Sequence, residues 1–104
     1  MSESLVYMTM ENREQAANIG AVLVERRLAA CVNVIPGMES LYWWNGQVQH
    51  GSEAVLIAKT RSALVAELVE AVKAVHPHEV PCIVSMRIEG GNPDFLTWIR
   101  EETK

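Results

Sequence analysis

Residues 28–59, LAACVNVIPGMESLYWWNGQVQHGSEAVLIAK, carry the reading on which the fold turns. Near the middle stands Asn45-Gly46, and both central positions of a type I′ turn need positive φ, which Asn tolerates and Gly adopts freely. Met38 to Trp44 lies on one side of that turn and residues 47 to 59 on the other, so the stretch reads as a hairpin with a returning strand. Upstream, Leu28 to Ile35 is a short apolar run, and Pro36-Gly37 marks a break or bulge before the chain resumes at Met38. The two runs together give one long, bent strand.

Working outward, Leu5 to Met10 has the β-branched and aromatic content of a strand. Asn12 reads as a helix N-cap, with Gln15 completing a capping-box pattern. Ala16, Ile19, Gly20, Leu23, Val24 and Arg27 follow at helical spacing, which predicts a helix over residues 13 to 27. On the other side of the hairpin, Ser62 can cap a second helix with an apolar stripe of Leu64, Val65, Leu68, Val69, Val72 and Val75, ending before Pro77. From Val80 the pattern alternates. Val80, Cys82, Val84, Met86 and Ile88 share one face of a half-buried strand, and Cys82 on that face reads as core. Gly90-Gly91 breaks the strand, Asn92 caps, Pro93 takes the first helical position, and Phe95, Leu96 and Ile99 pack a short terminal helix. The order β-α-β-β-α-β plus a last helix, with right-handed crossovers, predicts one α+β domain over residues 1–104. It is ferredoxin-like, with a four-stranded antiparallel sheet in order 4-1-3-2, helices on one face and a long hairpin between the second and third strands.

Composition sets the setting. A chain of 104 residues, 49% of them hydrophobic, supports one core. Its longest apolar runs, of about five residues, fall far short of the roughly 20 that span a bilayer, so no membrane partner is expected. The N-terminal Met-Ser-Glu-Ser lacks the basic start and apolar stretch of a secretory signal, and a cytoplasmic location is the default. Nine Lys and Arg against 13 Asp and Glu give a net charge of −4 without a basic cluster, which argues against nucleic acid. Cys31 and Cys82 have neither metal-finger spacing nor disulfide density, and on opposite edge strands they are expected to stay reduced. The fold leaves two unlike sheet edges and the Tyr42-Trp43-Trp44 patch uncovered. Pairing unlike edges between copies is heterologous and must close into a ring or run on as a filament, so a small ring of three chains is expected, with Trp43 or Trp44 at a subunit boundary.

His76-Pro77-His78-Glu79 puts two imidazoles and a carboxylate within four residues, a combination suited to copper, zinc or nickel. In the alternative reading His76 caps the last carbonyls of its helix. Cys31 lies on the strand phase opposite Ala30, Val32 and Val34 and is either a small buried hydrophobe or a thiolate ligand for Cu(I). Lys59, near the end of the third strand, could meet an anion or pair with Glu53, and ion pairing is the expected use. A Cys31–His76 nucleophile pair can be written down, but nothing in the sequence marks an oxyanion site, so no enzyme activity is expected. Asn92-Pro93 at a helix start keeps a small anion open as a minor ligand.

Several of these motifs coincide with those of a known family. Glu25-Arg26-Arg27-Leu28-Ala29-Ala30-Cys31-Val32-Asn33, the Ser40-x-Tyr42-x-Trp44-x-Gly46 hairpin, Glu53, Lys59-Thr60, His76-Pro77, Glu79-Val80-Pro81, and Gly91-Asn92 followed by Leu96 and Trp98 span nearly the whole chain. In these the sequence resembles the CutA divalent-cation tolerance proteins. The resemblance implies a cytoplasmic, ferredoxin-like homotrimer of PII-like architecture, associated with copper or another divalent metal ion and without a known reaction. His78 stands where the family usually has Tyr, and Cys82 where a Glu often follows the second Pro, and each adds a soft or borderline ligand. Some members carry a Cys on the first strand and a second His before the His-Pro, where this chain has Met8 and Val75. The expected ligands are therefore His76, His78, Glu79 and Cys31. The alternative function is a PII-like signalling or scaffold trimer that binds a small ligand or a partner protein, with metal incidental.

Overall fold

The computed structural model describes residues 2–104; Met1, where the reading of the N-terminus begins, lies outside the described residues. Four strands and three helices follow in the order β1 (Glu3–Met10), α1 (Arg13–Glu25), β2 (Cys31–Trp44), β3 (Gln47–Arg61), α2 (Val65–Lys73), β4 (Ile83–Arg87) and α3 (Pro93–Glu101). All pairings are antiparallel and the spatial order is β2-β3-β1-β4, the expected 4-1-3-2 arrangement.

Local chemistry fixes each element. The Asn12 side chain accepts from the Gln15 backbone N–H at 2.8 Å, and the Gln15 side chain accepts from the Glu11 N–H at 2.8 Å, so two orphan donors at the start of α1 are satisfied. The helix ends earlier than its periodicity suggests because Arg27 turns left-handed, at φ 57°. Leu28 N–H then reaches the Leu23 carbonyl at 2.9 Å and Arg27 N–H the Val24 carbonyl at 3.0 Å, the paired bonds of a Schellman cap. Asn45 and Gly46 have φ of 52° and 73°, as the I′ turn requires, and Gly37 at φ 74° sits in the register shift between Ile35 and Met38. Ser62 does not cap α2. It opens a single 3₁₀ turn, Ser62–Leu64, and its hydroxyl bonds that of Ser4 at 2.7 Å; α2 starts three residues later and Val75 falls outside it, exposed.

The core lies between one sheet face and the α1–α2 layer. Val6, Met8, Met10, Ala54, Leu56 and Ala58 meet Ala16, Ile19, Leu23, Leu68 and Val72. Gly20 permits the close approach of α1, since a Cβ there would stand 2.9 Å from Val32 Cγ2 and 3.2 Å from Leu56 Cδ1.

Cross-strand partners share a face, and this corrects the expectation for the last strand. Val6 pairs Ser85 and Met8 pairs Ile83, so Ile83 joins the helix-covered side while Val84, opposite Tyr7, and Met86, opposite Leu5, point the other way. Cys82 continues that outward phase and is exposed, as are Val80, Val84 and Met86. The alternation is as expected; its apolar face is the one the chain's own α1–α2 layer leaves uncovered. α3 also departs from a one-sided helix layer. Its Arg100 bonds Glu3 at 2.9 Å and its Phe95 ring lies 5.9 Å from Lys59 Nζ, and both partners belong to the outward phase of their strands. Lys59 donates to Asn33 at 2.6 Å instead of pairing Glu53, because six strand residues separate Lys59 from Glu53 by about 20 Å.

β1 pairs β3 only from Ala54 to Arg61, so beyond Met38 and Glu53 the hairpin continues as a two-stranded ribbon with no third strand. Its projection gives extents of 44 × 25 × 22 Å and a radius of gyration of 14.2 Å, above the about 13 Å of a compact chain this long. Tyr7 Oη donates to Met38 Sδ at 3.4 Å, which puts Met38 on the outward side of the sheet. By register Ser40, Tyr42, Trp44, Gln49 and Glu53 share that side, and Leu41, Trp43 and Val48 take the other. The latter three are 67%, 74% and 58% exposed.

The tight α1 contact is testable. Gly20→Val forces a branched side chain against Val32 and is expected to lower stability by about 2 kcal/mol or more, read as a lower urea midpoint with an unchanged slope.

Candidate functional site

Pro77 prevents α2 from continuing, and the chain crosses to β4 through residues 74–82. His76 holds this crossing. The residue is 8% exposed, its Nε2 lies 2.9 Å from the Thr9 carbonyl, and its Nδ1 accepts the His78 backbone N–H at 3.2 Å. Since Nδ1 accepts, the ring proton sits on Nε2 and is donated to Thr9, so both nitrogens of His76 are engaged. The expected cap on the last carbonyls of α2 is not what the ring makes; it ties the loop to the end of β1. The His78 ring stands beside it, with centroids 4.9 Å apart and planes tilted by 59°.

His78 and Glu79 are exposed at the rim of an open cleft of about 780 Å³ between the loop and the ribbon. Tyr7 and Thr9 form its floor, Met38, Ser40, Tyr42 and Trp44 with Gln49 and Glu53 one wall, and His78 to Val80 with Cys82 the other. The nominated ligands are thus divided. His78 and Glu79 face the cleft, His76 lies behind them with no free nitrogen, and Cys31 is elsewhere. Cys31 pairs Lys59 on the edge strand β2, level with Leu5, so two strand spacings and four residues of β1 separate it from Thr9 and His76 by roughly 15 Å. Cys31 and His76 therefore form no nucleophile pair within the chain. Among the described residues no three His, Cys, Asp or Glu side chains gather as a metal-binding group. Both cysteines are free thiols. Sequence reasoning misses Cys82, Glu53 and Tyr7 as cleft residues. The strand phase of Cys82 is legible, but which of the two sheet faces the helices leave open is not.

Fold and site together define a class: small ferredoxin-like α+β proteins in which an overlong hairpin and a histidine-tied loop enclose a cleft on the outward face of the sheet. A family model described as CutA1 divalent ion tolerance protein matches residues 4–102, and the chain belongs to that family. It is 46% identical over 101 residues to the divalent-cation tolerance protein CutA of Thermus thermophilus, covering 97% of this chain and 98% of that one. It is 43% identical over 100 residues to the chloroplastic CutA 1 protein of rice, Oryza sativa, covering 96% of this chain and 56% of the relative, so it spans little more than half of that longer protein. The solved structure of the Thermus thermophilus protein superposes with a TM-score of 0.95 at 45% identity, covering 98% and 99% of the two chains. That of Oryza sativa CutA1 gives 0.97 at 41%, covering 100% and 95%. An Archaeoglobus fulgidus structure, TM-score 0.95 at 40% identity and covering 98% and 99%, is described as periplasmic, so relatives occupy more than one compartment.

The two histidines should respond differently to truncation. His76→Ala removes the ring's bonds to the part-buried Thr9 carbonyl and His78 N–H and is expected to cost about 2–4 kcal/mol in denaturant unfolding, whereas exposed His78→Ala should stay within about 0.5 kcal/mol.

Proposed function

We propose that the chain is a subunit of a non-catalytic, cytoplasmic, homotrimeric divalent-cation tolerance protein that takes up copper or another divalent ion through His78 and Glu79 at the rim of the cleft. The observation that carries the reading is the division of the ligands. The chain offers an exposed imidazole and a carboxylate in sequence, with His76 spent on fixing the His78 backbone. One chain supplies two donors, so solvent or a neighbouring copy completes the coordination, which fits weak association with a borderline ion better than a closed structural site. His76 acts here as a positioning residue, and Cys31 stands outside the set.

The trimer is supported by the ribbon. An isolated two-stranded hairpin is marginal in water, and Leu41, Trp43 and Val48 form an apolar face on it that one chain leaves bare. The exposed Val84 and Met86 on the edge strand β4 extend the same need.

Calorimetric titration of the apo protein with Cu²⁺ and Zn²⁺ tests the metal reading, and light scattering on a sizing column tests the assembly. The expected mass is about three times the 11.6 kDa chain. Copper affinity is expected to fall about tenfold or more in His78→Ala, to fall on acidification because the imidazole must be neutral to ligate, and to be unchanged in Cys31→Ala. A copper isotherm indifferent to His78→Ala, or a mass of one or two chains, would overturn the corresponding part.

A further inference from the structure

We propose that the groove between the start of α1 and the end of α2 docks a basic, amphipathic helical segment of a partner protein. The groove has a volume of about 540 Å³ and opens on the helix layer. The sheet itself separates it from the outward face and the cleft, the surfaces that a ring of copies covers. Glu14, Asn18 and Val22 line it in one row of α1 at i, i+4 and i+8, a row about 12 Å long, with Ile19 in the row beside them. Val75, two residues past α2, faces them from the other side. Val22 and Val75 are 42% and 58% exposed, so the groove presents an apolar pair to solvent.

Charge selects the partner. Glu11 and Glu14 are exposed and, among the described residues, neither has an ion pair. Arg13 stands on the far flank of α1, because nine residues at about 100° each set it opposite Val22. Lys73 is drawn to Glu70 at 3.6 Å. The end of the molecule where the groove opens carries Glu11, Glu14, Glu39, Glu53, Glu70 and Glu79 against Arg13 and Lys73, so the whole net charge of −4 lies there. An acidic segment or an anionic lipid surface is repelled, and no Lys, Arg or aromatic side chain lines the groove to anchor it in headgroups. A small molecule in so open a groove keeps most of its surface in water. A helix answers both features: apolar residues at i, i+3, i+4 and i+7 span about 10 Å and lie along the row toward Val22 and Val75, while flanking Lys and Arg meet Glu11 and Glu14. The small apolar area makes this a weak, exchangeable contact. It uses neither His78 nor Glu79 and does not rest on the metal proposal.

The test is a fluorescence-anisotropy titration of the assembled, full-length protein with a labelled peptide of about 18 residues, Leu at helical spacing and Lys elsewhere. A peptide of the same composition with the Leu positions scrambled, and one with Glu in place of Lys, serve as comparisons. EDTA in every cell removes metal, so the outcome is independent of the copper titration. Saturable binding of one patterned Lys peptide per chain is expected, with the scrambled peptide at least about fivefold weaker and no binding of the Glu peptide. Val75→Ser and Glu14→Lys should each weaken binding about fivefold or more, whereas Glu89→Lys, an equal change of net charge at an exposed position on the opposite end, should stay within about twofold. Should Glu14→Lys fail to fold, Glu11→Lys carries the same expectation. The proposal is overturned if the patterned peptide does not saturate up to its solubility limit, as when another copy of the chain fills the groove. It is equally overturned if the scrambled peptide binds as well, if Glu89→Lys weakens binding as much as Glu14→Lys does, or if folded Val75→Ser binds as the unaltered protein does.

Discussion

β3 is 15 residues long and finds β1 along only its second half. Everything distinctive about the molecule depends on that mismatch. Where β1 is present, the sheet has a helix-covered face and a core of Val6, Met8, Leu56 and Leu68 with no exposure. Where it stops, the β2–β3 ribbon runs on alone. Backbone pairing and a I′ turn hold its two strands together, but backbone pairing alone does not bury apolar area, and burial is the term that stabilises a sheet. The ribbon therefore has one apolar face that one chain cannot cover and one face that, by the register, looks across the cleft at the loop of residues 78–82.

The loop is held as tightly as the ribbon is loose. The buried His76 ring links the end of α2, the end of β1 and the backbone of His78 in one hydrogen-bonded unit. This arrangement makes the imidazole structural, because a ring with both nitrogens engaged has no lone pair left for a metal. It also gives the exposed residues beyond it a fixed starting point, so His78 and Glu79 are displayed on a defined backbone and not on a free loop.

The architecture is legible in the sequence and the site only in part. Asn45-Gly46, the Pro36-Gly37 bulge, the Asn12 and Asn92 caps and the two helical stripes each act locally, so element order and strand order can be read without tertiary information. The failures are of another kind. β4 alternates cleanly, but alternation says which residues share a face and not which face meets the helices, and so Cys82 reads as core where the fold exposes it. The partner of Lys59 is misread when position along a strand is weighed without the neighbouring strand, where Asn33 lies on the diagonal of the Cys31–Lys59 pair. The His76 tie cannot be foreseen, since Thr9 is 67 residues away in sequence.

Amide hydrogen exchange of the intact protein, resolved along the ribbon, tests the central claim most directly, namely that residues 38–53 are completed by contact with further copies of the chain. Their outer-edge amides, along β2 and on the far side of β3 from β2, have no strand partner within the chain. The account predicts that ribbon amides are protected to a degree approaching those of β1 and the paired half of β3, and that protection falls on dilution below the assembly threshold. Ribbon amides that exchange as fast as an open hairpin at concentrations where the core is fully protected would contradict it.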